Sequence, residues 1–238
     1  MLRRCFLYKI ITRTYAGNSR RITEDIVRDR ILDPDNKQKL LKRLSKVKHG
    51  LKLQPNAKDA GVLVPLCITN GQLSLLYTQR TPWLSTHAGQ VSFPGGLIDE
   101  NDNTPIDAAI RETEEELGLD GRMIDVWINM GVVPDRRGKF KVNAVLGYLG
   151  NVNVKKLKIN KQEVQEVFTV PLTQLLMPEN QRYTMFRNGW KMPVITNSGH
   201  NIWGMTAIFT DVFLANAFPD FYQLIVSRYD GDLAQKYL

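Results

Sequence analysis

Cysteine is nearly missing from these 238 residues: Cys5 and Cys67 are the only two, too few for a disulfide framework and without the paired spacing of a zinc site. Cys67, inside the run GVLVPLCI, reads as a small core residue. Long apolar runs are missing too. The most apolar stretches, such as 212–218, fall far short of the roughly 18 residues that span a bilayer, so no membrane partner is expected. Internal repeats and low-complexity tracts are also absent. What is present is 43% hydrophobic and 24% charged, the composition of a globular domain with a substantial core.

Acids are missing from one place in particular, because none precedes Glu24. The formal charge is +8, and Arg3, Arg4, Lys9, Arg13, Arg20 and Arg21 supply six of those charges, which leaves +2 for the rest. A body at +2 gives no electrostatic case for a nucleic-acid groove, and no nucleic-acid partner is expected. Residues 1–21 space their basic residues among Leu2, Phe6, Leu7, Ile10 and Ile11. Such a segment can form a basic amphipathic helix and has the composition of a mitochondrial transit peptide, which predicts a location in the mitochondrion. Lys9 interrupts its only apolar run, so a secretory signal fits less well.

Residues 22–58 predict a helical extension, with two short surface helices on either side of Pro34. A main domain then covers 59–238. GVLVPLCI and LSLLYTQR read as strands joined by Asn70-Gly71, a hairpin-turn dipeptide. QVSF reads as a third strand running into Pro94-Gly95-Gly96. Thr104-Pro105-Ile106-Asp107 carries the cap, the first-position proline and the early acid of a helix start, and Gly118 the stop. Strands follow at about 125–133, 139–148 and in EVFTVPL; 179–203 reads as a polar stretch of turns and aromatics, and 204–217 as a final helix. Mixed strands and helices around one core predict an α/β sandwich.

The helix over 105–117 poses a question of charge. At about 100° per residue, Ile106, Ile110, Thr113 and Leu117 share a buried face, while Glu112, Glu115 and Glu116 form a contiguous stripe and Glu114 stands apart. Arg111 lies four residues before Glu115, at ion-pair spacing. A glycine turn that permits close backbone approach lies just upstream. Hard divalent cations such as Mg²⁺ take oxygen ligands from a few carboxylates, water and substrate phosphates, and the stripe has the character of such a site.

These residues carry a family resemblance. The run from Gly96 to Leu119, with REx₂EExG at Arg111 to Gly118, resembles the box of the Nudix hydrolases, which cleave a nucleoside diphosphate linked to another group. Asn103 stands where the box has its first glutamate, with Asp99 and Asp102 nearby. Upstream, LLYTQRTPWLSTHAGQVSFPGG (75–96) resembles the signature of the coenzyme A diphosphatase branch, with Ser85 in place of its second arginine. NKQEVQEVFTVPL (160–172) and NIWGMTA (201–207) resemble further segments of that branch.

The resemblance implies a Nudix-type α/β/α sandwich around a mixed sheet, and a hydrolase using Mg²⁺ or Mn²⁺. It implies cleavage of coenzyme A or its thioesters into 3′,5′-ADP and a 4′-phosphopantetheine product. A small-molecule nucleotide is thus the expected partner, and the protein is expected as a monomer or homodimer. Alternatives are another nucleoside diphosphate derivative (ADP-ribose, NADH, a nucleoside triphosphate) or a nucleotide- or RNA-binding module that lost catalysis. The expected metal ligands are Glu112, Glu116, Glu115 and the Gly96 carbonyl, and Arg111, Glu112 and Glu115 are counted in the catalytic set. An extended backbone places Glu163 and Glu166 on opposite faces, and the family pattern favours Glu163 as general base. Arg80, His87, Arg136 and Arg137 are the candidate substrate contacts.

Overall fold

In the computed structural model, which describes residues 9–12, 22–47, 53–135, 137–186, 190–197, 199–223, 225 and 227–228, the chain is organised around one hairpin. β2 (Lys58–Thr69) and β3 (Gln72–Arg80) pair across Asn70-Gly71. Asn70 at φ 51° and Gly71 at φ 74° supply the left-handed pair that a two-residue turn between twisted strands needs. Alternation along β2 divides the core in two. Val64 and Leu66 enter one apolar cluster, Leu63 and Cys67 the other.

β2 also pairs in parallel with β7 (Phe140–Asn151), whose far edge is taken by β6 (Asp125–Pro134). β8 (Val164–Pro171) runs antiparallel to β3, and the short β4 (Val91–Ser92) and β5 (Gly95–Leu97) pair with β3 and β2. The result is the mixed sheet expected, with seven strands. On one face α3 (Pro105–Leu117) packs Ala109 and Leu117 against Leu63, Cys67, Leu76 and Val145. On the other, α5 (Gly204–Ala217) packs Phe209, Val212 and Phe213 against the cluster that holds Val64, Leu66, Leu75 and Leu146. Helix, sheet and helix make the α/β/α sandwich. Among the described residues no helix is long and apolar enough to cross a membrane.

Three expectations change. α1 (Glu24–Leu32) and α2 (Pro34–Leu44) are not surface helices: Val27, Ile31, Leu40 and Leu44 are buried in the same cluster as α5. Each helix buries an apolar pair four positions apart, with Leu32 of α1 packed against the same cluster, enough to dock it on a core while most of its surface stays charged. The stretch 179–203 is largely strand: β9 (Gln181–Met185), β10 (Trp190–Asn197) and β11 (His200–Ile202) form an antiparallel second sheet. Ile195 and Ile202 tie that sheet to the α5 core. Lys9–Thr12 is a strand, β1, paired with β9 rather than a turn of amphipathic helix, in keeping with the β-branched Ile10, Ile11 and Thr12. The remainder of the 1–21 leader lies outside the described residues. A two-residue strand, β12 (Ser227–Arg228), lies against β10.

Candidate metal and catalytic site

Local chemistry sets both ends of α3. Thr104 Oγ1 accepts from the Asp107 amide at 3.3 Å while Asp107 Oδ2 accepts from the Thr104 amide at 2.9 Å, a capping box that fixes the first turn. Pro105 occupies the first helical position, and Gly118 at φ 65° ends the helix in the left-handed conformation that glycine adopts without strain. Between these ends Glu112 and Glu116 lie one turn apart, on the side of α3 that meets β5.

Glu112, Glu116 and Glu163 each offer a carboxylate oxygen, and the three atoms lie within 4.8 Å of one another. Like charges at that separation repel by about 3.5 kcal/mol per pair at an effective dielectric of about 20. Burial pushes the Glu116 carboxyl up to about 8, with Glu112 and Glu163 adding to the rise and Arg80 and the Gly95 amide opposing it. Glu112 is raised as well, by burial first, against the pull of Arg111. Glu116 is 2% exposed, and among the described residues its Oε2 has no hydrogen-bond partner. At Gly96 a Cβ would stand 2.2 Å from Glu112 Oε1, so only glycine leaves that carboxylate its place. A group of hard oxygen donors, one of them buried and unsatisfied, fits a divalent cation. The chain thus holds a carboxylate group that could bind a metal.

Glu115 is not part of this group. The expected stripe joined it to Glu112 and Glu116, but its side chain is 55% exposed and its carboxylate meets Arg111 Nη1 at 3.3 Å. Adjacent helical residues point about 100° apart, so Glu115 and Glu116 cannot both face β5. Arg111 itself is a tie. Its Nη2 donates to the Leu97 carbonyl at 3.0 Å and to Asp102 Oδ2 at 2.9 Å, its Nε donates to Asp102 at 3.2 Å, and its Nη1 donates to Glu112 Oε1 at 2.9 Å. These bonds hold Asp102 below the usual carboxylate range and raise Arg111 further. They fasten the loop after Gly96 to α3 and fix the Glu112 rotamer.

The choice between Glu163 and Glu166 is geometric. Glu163 closes the 160–163 turn and joins Glu112 and Glu116, whereas Glu166, on β8, pairs with His200 Nε2 at 3.3 Å. Asn160 makes the difference. Its amide donates to the Glu116 carbonyl at 2.9 Å, and its Nδ2 donates to Glu163 Oε1 at 3.2 Å, so one residue hangs the turn from the last turn of α3. Sequence reasoning missed Asn160 and the anchoring role of Asp102. The spacing Asn-x-x-Glu, a capping pattern, was the available signal for the first.

Of the candidate substrate residues, Arg80 ends β3 and reaches Glu116 Oε1 at 3.8 Å. Thr81, its neighbour, donates from its amide to the Glu163 carbonyl at 2.9 Å, so the loop 81–90 springs from beside the carboxylates. His87 is exposed in that loop, at φ 55°, with Nδ1 2.9 Å from Gln90 Oε1 within its own turn. Arg137 is exposed in the β6–β7 hairpin, where its carbonyl accepts from Gln54 Nε2 at 2.8 Å. Arg136 lies outside the described residues.

Residues 58–188 match the NUDIX domain family. The chain is similar to mitochondrial coenzyme A diphosphatase NUDT8 of Mus musculus, 40% identical over 197 residues that cover 81% of this chain and 92% of that protein. To the protein of the same name from Homo sapiens it is 41% identical over 177 residues, 72% of this chain and 75% of that one. Nudix hydrolase 3 of Caenorhabditis elegans is 30% identical over 231 residues, 88% and 96% of the two chains.

Proposed function

This chain belongs to the NUDIX family, and from that premise we propose that it hydrolyses the diphosphate of coenzyme A or its thioesters to 3′,5′-ADP and a 4′-phosphopantetheine product. One observation carries the chemistry: Glu112, Glu116 and Glu163 converge within 4.8 Å, with a buried oxygen of Glu116 unsatisfied. The substrate class follows the relatives at 40% and 41% identity whose names specify it. Those names and the acid-free basic residues 1–21 together support a mitochondrial location.

Glu112 and Glu116 would hold the ion, Mg²⁺ or Mn²⁺, with the Gly96 carbonyl beside them. When bound, such a cation draws charge from the phosphate oxygens and makes water more acidic. Glu112 stays in place because Arg111 and the absent Gly96 side chain leave it one position. Glu163 acts as general base. Its Oε1 is engaged by Asn160, which leaves Oε2 to accept the proton of the attacking water. Water adds to phosphorus, the P–O–P bridge breaks, and the departing phosphate takes the bridging oxygen. Arg111, with its donors committed to Leu97, Asp102 and Glu112, positions rather than touches. His87 and Arg137 are exposed in loops and free to meet an anionic substrate arriving from solvent; the monomer or homodimer is the assembly this reading assumes.

The test is full-length protein with coenzyme A, ADP-ribose, NADH and a nucleoside triphosphate in parallel, with Mg²⁺, with Mn²⁺ and with a chelator. Metal-dependent release of 3′,5′-ADP from coenzyme A, faster than turnover of the others, is the expected result. Turnover of ADP-ribose or NADH alone would overturn the substrate and keep the site; silence on all of them would overturn both.

A further inference from the structure

Two buried polar atoms beside the carboxylates lack partners among the described residues, and they belong to opposite charges. Arg80 Nε and Glu116 Oε2 are both unsatisfied, and the two side chains meet only at 3.8 Å, between Nη1 and Oε1. That is an ion pair without a hydrogen bond. Arg111, five residues before Glu116 on α3, shows what an arginine with a fixed structural task looks like: every guanidinium nitrogen is engaged. Arg80 is different. Its side chain is 22% exposed, it stands at the end of β3 where the loop 81–90 departs, and among the described residues its one ion-pair partner is the carboxylate most buried in the group.

We propose that Arg80 is the resident counter-cation of the ion-free carboxylates, displaced when a divalent ion arrives and thereby turned toward the anionic substrate. The inference rests on the proposed ion site at Glu112 and Glu116, with Glu163 beside it. The guanidinium and a divalent cation compete for the same charge on Glu116, so neither is bound at full strength while the other remains. Once the ion holds Glu116, a diphosphate offers Arg80 a second anion, with the two oxygens that suit a planar guanidinium. Ion and substrate are then coupled through one side chain: each favours the arrangement of Arg80 that the other needs. The sequence signal for a substrate contact at Arg80 and its observed contact with Glu116 are two positions of one device.

Competition predicts a sign that a simple substrate-binding arginine would not. Without nucleotide, Arg80→Gln should bind Mn²⁺ about tenfold more tightly than the parent, because a positive charge beside the ion has gone. Arg80→Lys, which keeps the charge, should stay near the parent. Free Mn²⁺ followed by electron paramagnetic resonance on the full chain reads these affinities directly, and thermal melts confirm folding. Unchanged or weaker Mn²⁺ binding in Arg80→Gln overturns the exchange. Mn²⁺ binding that survives Glu116→Gln undiminished overturns the ion site itself, and so separates the two failures. The parent protein gives a second reading that needs no variant: the Arg80 Nε–H resonance should move on adding Mg²⁺ alone. A resonance that stays in place overturns the exchange.

Discussion

The two helices that enclose the central sheet each bury a carboxylate, and the two are treated oppositely. Asp211 of α5 is 0% exposed and accepts from the Tyr222 hydroxyl at 2.8 Å and from the Ile225 amide at 3.0 Å. Glu116 of α3 is 2% exposed, has an unsatisfied oxygen, and has its cation at 3.8 Å. A buried carboxylate without donors is costly by several kcal/mol. At Asp211 that cost is met by bonds that fasten the chain after α5 to the helix. At Glu116 nothing in the fold meets it fully. The helices differ in the same sense: ten of the fourteen α5 residues are buried, so it is core, while α3 buries five of thirteen and presents the rest to the loops around it. A carboxylate with its donors in place holds a structure together; one left short beside two others belongs to a group that could bind a metal.

Exchanging the insults should exchange the losses. Glu116→Gln should lower kcat on the order of 10³-fold and leave the unfolding midpoint no lower than that of the parent, since it removes a buried carboxyl that burial makes costly to ionise. Asp211→Ala should lower stability by about 2 to 4 kcal/mol by stranding buried donors, with kcat near normal for the folded fraction. Chemical denaturation and turnover measured on the same preparations decide it. If Glu116→Gln unfolds as early as Asp211→Ala, the contrast between the helices is wrong.

Two glycines on paired strands sharpen the same point. A Cβ at Gly61 would stand 1.8 Å from the Pro105 carbonyl oxygen, so α3 backbone must move, and Gly61→Ala should cost about 3 kcal/mol or more. A Cβ at Gly96 meets instead the movable end of Glu112, at 2.2 Å. Gly96→Ala should therefore fold within about 1 kcal/mol of the parent yet lose activity about 10²-fold, because a displaced carboxylate no longer aims at its target. Circular dichroism melts beside turnover numbers read both.

A smaller effect tests Glu116 through pH. In metal-free protein its folded value, about 8, lies above the unfolded 4.5. Between those two values the folded state binds the extra proton, so stability falls as pH rises, by up to roughly 1.4 kcal/mol per unit, and levels off above 8. Urea midpoints in chelator across that window should show the decline, and Glu116→Gln should flatten it. A slope that persists in the variant would assign it to another group.

How much of this was legible depended on distance along the chain. The Thr104 cap, the Gly118 stop and the Asn70-Gly71 turn are settled by neighbours, and the sequence showed them. Glu112 and Glu116 share a face because they are four apart. Glu163 arrives from elsewhere, through the register that sets Arg80 opposite Val164 and through the Asn160 amide's bond to the Glu116 carbonyl, a contact across 44 residues that the local Asn-x-x-Glu spacing does not announce. The second sheet over 181–202 was hidden because short strands with Arg182, Lys191, Pro193 and Asn197 show weak alternation. α1 and α2 hid their burial in short apolar sets within a charged sequence.

The gentlest prediction sets Glu115 against its neighbour. Glu115 and Glu116 are chemically identical and consecutive, and only the side of α3 that meets β5 distinguishes them. Glu115 is 55% exposed with Arg111 as its ion-pair partner, and an exposed pair of this kind contributes about 0.2 to 1 kcal/mol. Arg111 would still hold Leu97, Asp102 and Glu112 without it. Glu115→Gln should then keep Mn²⁺ affinity within about threefold and kcat within about tenfold of the parent. A loss as deep as that of Glu116→Gln would mean that the ion draws Glu115 inward when it binds, and the group of three oxygens would have to be widened to four.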